Sequence, residues 1–353
     1  MYTPILRNRQ SELRALQLLS ELEKGLCFPL IDLAAPGKSA DVHKVQTYVE
    51  RNITRTEAAV AGFEYVLLDS SELDPNMRLR GLKYPLVEVA KAMVAAGTKP
   101  VPVVGLHREK SHMKAALKVA ELVQSKRQFC VRLDATDVAT SAHSFRELKS
   151  TLANLGVSSE KVILLLDLQS VFGTDPIFHS AKVGRFIAQV SDQDWAGFVI
   201  AGYGLPEQMS AAVEVRGQGY ISRVEQTVFM QVASEFGSKK IWFGDYATLT
   251  PTQVELDWRV ISKTMSPKVV YTLSDSWFVV RGGPFSTHSD GYGQYHDLAS
   301  EIIALDEFSG SGFSYGDNYI QDCASRIGKT GSPSSWITAC VNHHIALTGR
   351  QHE

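Results

Sequence analysis

VRLDATD, residues 131–137, runs three apolar positions and Arg132 straight into Asp134 and Asp137. The same shape returns as FPLIDL (28–33), YVLLDS (65–70), VILLLDLQ (162–169) and IWFGDY (241–246). Each reads as a short buried strand that ends on an acid. Continuous apolar runs suit parallel strands covered on both faces, whereas a half-exposed antiparallel sheet alternates apolar with polar residues.

Working outward, strands are predicted at YTPIL (2–6), CFPLIDL (27–33), EYVLLD (64–69), VPVVGL (101–106), FCVRLD (129–134), VILLLDL (162–168), AGFVIAGY (196–203), IWFGDY (241–246) and WFVVRG (277–282). Helical signals lie between them. SELRALQLLSELEKG carries leucines at 13, 16, 19 and 22 and ends toward Gly25, and YPLVEVAKAMVAAGT closes on Gly97. SFRELKSTLANLG has Ser144 and Glu147 in capping-box spacing and stops at Gly156, while TPTQVELDWRVI sets Thr250 as N-cap and Pro251 at the first helical position. Regular alternation of strand and helix implies right-handed βαβ units around a parallel sheet, and eight such units close a TIM-type (β/α)8 barrel.

Nine strand candidates exceed eight by one. The surplus is assigned to WFVVRG, because VVYTLSDSWFVVRG reads as a hairpin around Ser274, Asp275 and Ser276, appended to the barrel. The alternative makes WFVVRG the eighth strand and leaves YTPIL outside. A doubly wound open parallel sheet is the second fold considered, weakened because no GxGxxG loop follows an early strand. The predicted division is an α/β barrel over 1–283 and a C-terminal extension over 284–353, rich in Gly, Ser, His and Tyr, packed on the barrel as a lid or tail.

Composition narrows the function classes. The 353 residues are 44% apolar, with 36 basic against 38 acidic residues, so no general nucleic-acid footprint exists, although a local basic patch is compatible with that balance. Cys27, Cys130, Cys323 and Cys340 form no CxxC pair, which points to a reduced, cytoplasmic protein without a structural zinc site. No run approaches the roughly 20 apolar residues of a membrane span, and MYTPILRNRQSEL lacks a signal-peptide layout. GxSxG, HExxH and P-loop motifs are absent, and the scattered tryptophans build no stacking platform for single strands.

The opening YTPILRNRQSELRAL, the RGG after WFVV, and the ending FSYGDNYI followed by WITACVNHHI resemble the "beta protein" family, named after a bacteriophage protein and found in bacteria and mobile elements. The resemblance spans both ends and the repeated strand-acid units. It implies a cytoplasmic, bacterial or phage-linked protein, encoded near anti-phage genes, and no particular reaction.

Residues at the C-terminal ends of barrel strands face the mouth where TIM-barrel sites form. That rule gathers Arg7, Arg9, Asp32, Asp69, His107, Asp134, Asp167, Gln169, Tyr203 and Asp245 on one rim. Carboxylates so crowded either shift their pKa values or bind a hard cation such as Mg²⁺ or Mn²⁺, for which Asp134, Asp167 and Asp245 are the candidate ligands. The competing reading makes each aspartate a cap of the following helix or turn. Arg7 and Arg9 suit an acidic ligand or the rim acids themselves. Arg281, Gly282 and Gly283 in RGGPFSTHSDGYG are the candidate anion clamp, set against a ligand-free connection. His343 and His344 point roughly 100° apart on one helix, so one of them, taken as His343, is the candidate proton-transfer group beside Asp134 and Asp167; Asp317 is a lesser candidate or a cap. Two functions follow: a metal-dependent hydrolase of a phosphate-bearing small molecule, or a recognition platform whose loops and tail bind a protein partner, for example in anti-phage defence.

Overall fold

Every apolar run that ends on an acid becomes a barrel strand. The computed structural model describes residues 1–35, 42–123, 128–237, 240–252 and 265–353. Its strands are β1 (Tyr2–Arg7), β2 (Leu30–Asp32), β3 (Tyr65–Asp69), β4 (Lys99–Val104), β5 (Phe129–Leu133), β6 (Val162–Ser170), β7 (Gly197–Tyr203), β8 (Gln218–Ser222), β9 (Ile241–Asp245), β10 (Lys268–Thr272) and β11 (Ser276–Arg281). Eight of them close a parallel barrel in the order β1-β2-β3-β4-β5-β6-β7-β9. The fold is therefore the TIM-type barrel. The open-sheet alternative fails, and so does the version without YTPIL, because β1 pairs with both β2 and β9.

WFVVRG lies outside the barrel, in the antiparallel hairpin β10–β11. That hairpin acquires a third strand, β8, which the apolar-run criterion misses. Its sequence QGYIS is mostly polar and its pattern is largely exposed, so it carries no buried run to detect. Two helical expectations also shift. The stretch SELRALQLLSELEKG breaks into Gln10–Gln17 and Glu21–Gly25, because Ser20 and Glu23 form a capping box that starts a new helix. Ser144 lies inside the helix Ser141–Leu155 and donates its hydroxyl to the Asp137 carbonyl, while Gly156 ends that helix in the left-handed conformation, as its spacing predicts. The helix predicted to start at Thr250 runs into residues 253–264, which lie outside the described residues.

Strand side chains alternate between two cores. Ile5, Leu30, Leu67, Val101, Val103, Cys130, Ile163, Leu165, Val199 and Ala201 pack together inside the barrel, whereas Leu6, Ile31, Leu68, Val131 and Leu164 face the helical layer. An aromatic floor closes the N-terminal end, where Phe28 meets Tyr65 and Trp242 edge-on at centroid distances of 6.1 and 6.2 Å. Trp242 reaches across onto Gly197, where an added Cβ would meet its ring at 2.5 Å. Gly197→Ala is therefore expected to lower stability by about 1–3 kcal/mol through overpacking. A urea midpoint equal to that of the parent would show that the floor is looser than this.

The helix Pro333–Gln351 packs against the helix Gln10–Gln17, the helix Tyr315–Ala324 and β10, and is buried along most of its length. It lies between the barrel wall and the hairpin. A third apolar cluster, including Tyr271, Phe278, Tyr295, Trp336 and Cys340, joins the hairpin to these C-terminal helices.

Candidate active site at the barrel mouth

The inward parity that places Ile5, Leu30, Leu67, Cys130 and Leu165 in the interior carries two residues further to Arg7, Asp32, Asp69, Arg132 and Asp167. Register keeps them level, since Arg7 pairs with Asp32 and Asp32 with Asp69 across β1, β2 and β3. Period-two alternation thus turns the apolar interior into a polar mouth within one step of each strand.

Arg132 sits at the centre of that mouth. Its Nη1 donates to Asp32 Oδ1 at 2.8 Å and to Asp69 Oδ2 at 3.1 Å, and its Nε donates to Asp167 Oδ2 at 2.9 Å. Its Nη2 donates to the Tyr246 hydroxyl at 2.8 Å, which in turn donates to Asp167 Oδ2 at 2.6 Å. Arg108 adds a second cation, 2.9 Å from Asp69 Oδ2. A planar guanidinium with five fixed donors fits such a ring of acceptors in a way that a lysine does not.

The two neighbouring aspartates differ. Burial pushes the Asp32 carboxyl up to about 7, against the pull of Arg132 and with added push from Asp69, Glu72 and Asp167. Burial acts in the same direction on Asp69, but Arg108, Arg132 and the Ser71 amide outweigh it and hold that carboxyl below the usual range. Burial first, then the neighbouring carboxylates, keep the Tyr246 phenol protonated far into alkali. Two carboxyls driven apart in this way are the usual starting point for proton transfer, one able to give a proton and one staying charged.

Above them opens a cavity of about 560 Å³, lined by Asp32, Glu72, Asp134, Asp137, Asp167 and Glu207 among its acids and by Arg108 and Arg132 as its arginines. His107 and Gln169 also line it. Asp134 caps the helix Ala135–Ala139 in a capping box with Asp137 while still facing the cavity, so the capping and mouth readings hold together for it. Asp137 also lies 3.3 Å from His107. Arg7 is buried at the rim, bonded to Glu72 Oε1 at 2.8 Å and to the carbonyls of Thr250 and Pro251. Arg9 is exposed at the start of the helix Gln10–Gln17.

Several predicted site residues lie elsewhere. Asp245 has the opposite parity from Asp32 and points out of the barrel, accepting from Tyr2 Oη at 2.5 Å and from His344 Nε2 at 2.8 Å, with Arg223 Nη2 at 3.6 Å. Burial holds His344 down, so it is neutral, donating through Nε2 and accepting from Thr272 Oγ1 at Nδ1. His343 is fully buried between Asp317 Oδ2 and the Thr272 carbonyl, each at 2.9 Å. None of the described residues lining the mouth cavity comes from 284–353. Arg281 donates to the Val213 carbonyl at 2.6 Å. The amides of Gly282 and Gly283 are spent on the Pro267 carbonyl and Gln294 Oε1, which leaves no amide cradle for an anion there.

The proposed metal set Asp134, Asp167 and Asp245 is not assembled, and among the described residues no three His, Cys, Asp or Glu side chains are placed to hold a metal ion. The inward carboxylates converge on a guanidinium instead of on an open point. Sequence reading gave no site role to Arg132, Arg108, Glu72 or Tyr246. The detectable signal was a charged residue, Arg132, in an apolar strand at the same parity as Cys130.

A family model described as Beta protein matches residues 2–350. No curated protein matches the chain. Among solved structures, a glucosidase from Croceicoccus marinus is 12% identical, with a TM-score of 0.31, over 51% of this chain and 43% of its own, so the chain spans less than half of that enzyme's length. No described helix is long and apolar enough to cross a membrane.

Proposed function

The chain belongs to the Beta protein family, and for this member we propose that the barrel mouth binds a small organic cation, with Asp32 as the group that gives or takes a proton. One observation carries this reading. Six carboxyl side chains face the cavity against two arginines, and Arg132 already spends its donors on Asp32, Asp69, Asp167 and Tyr246. An incoming anion meets few unspent donors and a negative field, whereas an amine or guanidine finds acceptors all round.

The same geometry weakens metal-dependent hydrolysis of a phosphate ester at this mouth. A divalent cation would have to displace Arg132, and the RGG segment offers no phosphate cradle. Proton transfer through Asp32 needs neither. The four cysteines are free thiols, which fits the reducing cytoplasm this reading assumes.

The test is calorimetric titration with spermidine and with free arginine, with inorganic phosphate as the opposing probe. Cations are expected to bind, and affinity to rise by up to about tenfold per pH unit up to the Asp32 pKa of about 7 and then level off. The sign follows from charge: Asp32 attracts a cation only once deprotonated. Asp32→Asn should remove the pH step. Binding of phosphate with no cation binding would overturn the proposal, and pH-independent cation binding would reduce the mouth to recognition without proton transfer.

A further inference from the structure

We propose that the groove along the helix Lys110–Leu122, beside the mouth, binds phosphate groups arranged in a row. Lys110, Lys114 and Lys118 recur every fourth residue, so they line one helix face at intervals of about 6 Å. Lys110 and Lys114 are exposed, and neither pairs with an acid among the described residues. Across from them stands Arg78, fixed in place: its guanidinium stacks on the Tyr84 ring at 4.0 Å and donates to Ser111 Oγ at 2.6 Å and to the Pro75 and Met77 carbonyls at 2.9 and 2.7 Å. Lys118 lies over the same ring at 5.1 Å.

Two hollows flank this face, and Lys110 and Lys114 line both. One, of about 500 Å³, holds Arg78, Lys110 and Lys114 against a single acid, Glu109. The other, of about 420 Å³, holds Arg108, Lys110 and Lys114 with no acid at all. A chain of net charge −2 thus gathers two unpaired lysines, Lys110 and Lys114, beside Arg78 and Arg108 in one groove. The groove shares Gly105, Leu106 and Arg108 with the mouth but carries the opposite charge, so the proposal does not rest on the reading of the mouth.

A polyanion is the ligand this surface fits, since cations spaced along a groove neutralise successive charges and release counterions. The Tyr84 ring is occupied by Arg78 and Lys118, so base stacking has no part in it. Two sources supply such phosphates, a single-stranded nucleic-acid backbone and a free oligophosphate, and the experiment separates them. Full-length protein is titrated into a fluorescein-labelled oligothymidylate, read by anisotropy, and separately with inorganic tripolyphosphate, read by calorimetry. Binding is expected at low ionic strength. If about three phosphates are neutralised, the oligonucleotide affinity should fall with a log-log salt slope of about −2.

Lys110→Glu/Lys114→Glu should weaken binding at least tenfold at an unchanged melting temperature, and Lys110→Gln/Lys114→Gln should lie between it and the parent. Tripolyphosphate binding alone would support the site and assign it to a small phosphate ligand. Failure of both probes to bind, or undiminished binding by both variants, would overturn the proposal. Cation titration of the mouth in the same variants is expected to stay unchanged, so failure here and failure there remain distinct.

Discussion

Replacing Arg132 with methionine is expected to destabilise the protein by about 3–5 kcal/mol, because it leaves Asp32, Asp69 and Asp167 buried around a missing charge. The size follows from asymmetry. Removing one partner of a buried ionic cluster exposes the survivors to the full cost of burial, even where the intact cluster adds little net stability. The pH dependence is diagnostic. Asp69 is held below its unfolded pKa by Arg108 and Arg132 after burial is overcome, so its contribution is present above the ordinary carboxylate range and is lost as pH falls through that range. Asp32 has the opposite sign: held at about 7 when folded, it binds a proton the unfolded chain has released, so it lowers stability as pH rises from about 4 to about 7. Without Arg132, Asp32 loses the charge that pulls against its burial and holds its proton to higher pH, while Asp69 keeps only Arg108 and the Ser71 amide. The deficit of Arg132→Met should therefore shrink in acid, as protonation removes the unpaired charges. Urea unfolding at neutral pH and near pH ~5 reads this, and a loss under about 1 kcal/mol, or a loss that does not change with pH, would show that solvent already screens the cluster.

That one arginine also marks where sequence reading succeeds and where it stops. The barrel was legible because buried parallel strands leave continuous apolar runs, and FPLIDL, YVLLDS, VILLLDLQ and IWFGDY each became one. The hairpin was legible from VVYTLSDSWFVVRG, two β-rich runs around the turn residues Ser274, Asp275 and Ser276, whereas QGYIS, the third strand of its sheet, had no apolar run and passed unseen. At the site, proximity to a strand end found Asp32, Asp69 and Asp167 but could not exclude Asp245. Only strand parity does that: Asp245 follows Phe243, which packs in the outer core, whereas Asp167 follows Leu165 of the inner one. Arg132 meets Asp32 across a separation of 100 residues, which no local pattern encodes. The histidines failed for a related reason, since a polar pair on an apolar helix looks the same in sequence whether it faces a cavity or a sealed interior.

Asp245→Ala should cost about as much as the loss of Arg132, about 3–5 kcal/mol, although its side chain points out of the barrel and does not line the mouth cavity. Asp245 accepts from Tyr2, His344 and the Ala247 amide, and it is the ionised counter-charge for Arg223, which is completely buried. Glu225 lies nearer to Arg223, at 3.4 Å, but burial, with repulsion from Asp245 and against the pull of Arg223, raises its carboxyl to about 8. Near neutrality, therefore, Asp245 carries the charge and Glu225 keeps its proton. In the parent this makes stability fall as pH rises from about 4.5 to about 8, since the folded state holds a proton the unfolded chain gives up, and Glu225→Gln should flatten that slope. Once Asp245 is gone the repulsion disappears, the Glu225 pKa drops, and Glu225 becomes the counter-ion of Arg223. The cost of Asp245→Ala should accordingly diminish as pH rises, opposite in direction to Arg132→Met. Adding Glu225→Gln to Asp245→Ala should abolish that relief and leave Arg223 unpaired at every pH. A double-mutant cycle run at two pH values isolates the coupling. Strict additivity of the two substitutions at both pH values would mean that Glu225 does not exchange its charge with Asp245, and that the carbonyl and hydroxyl acceptors of Leu273 and Thr348 suffice to hold Arg223.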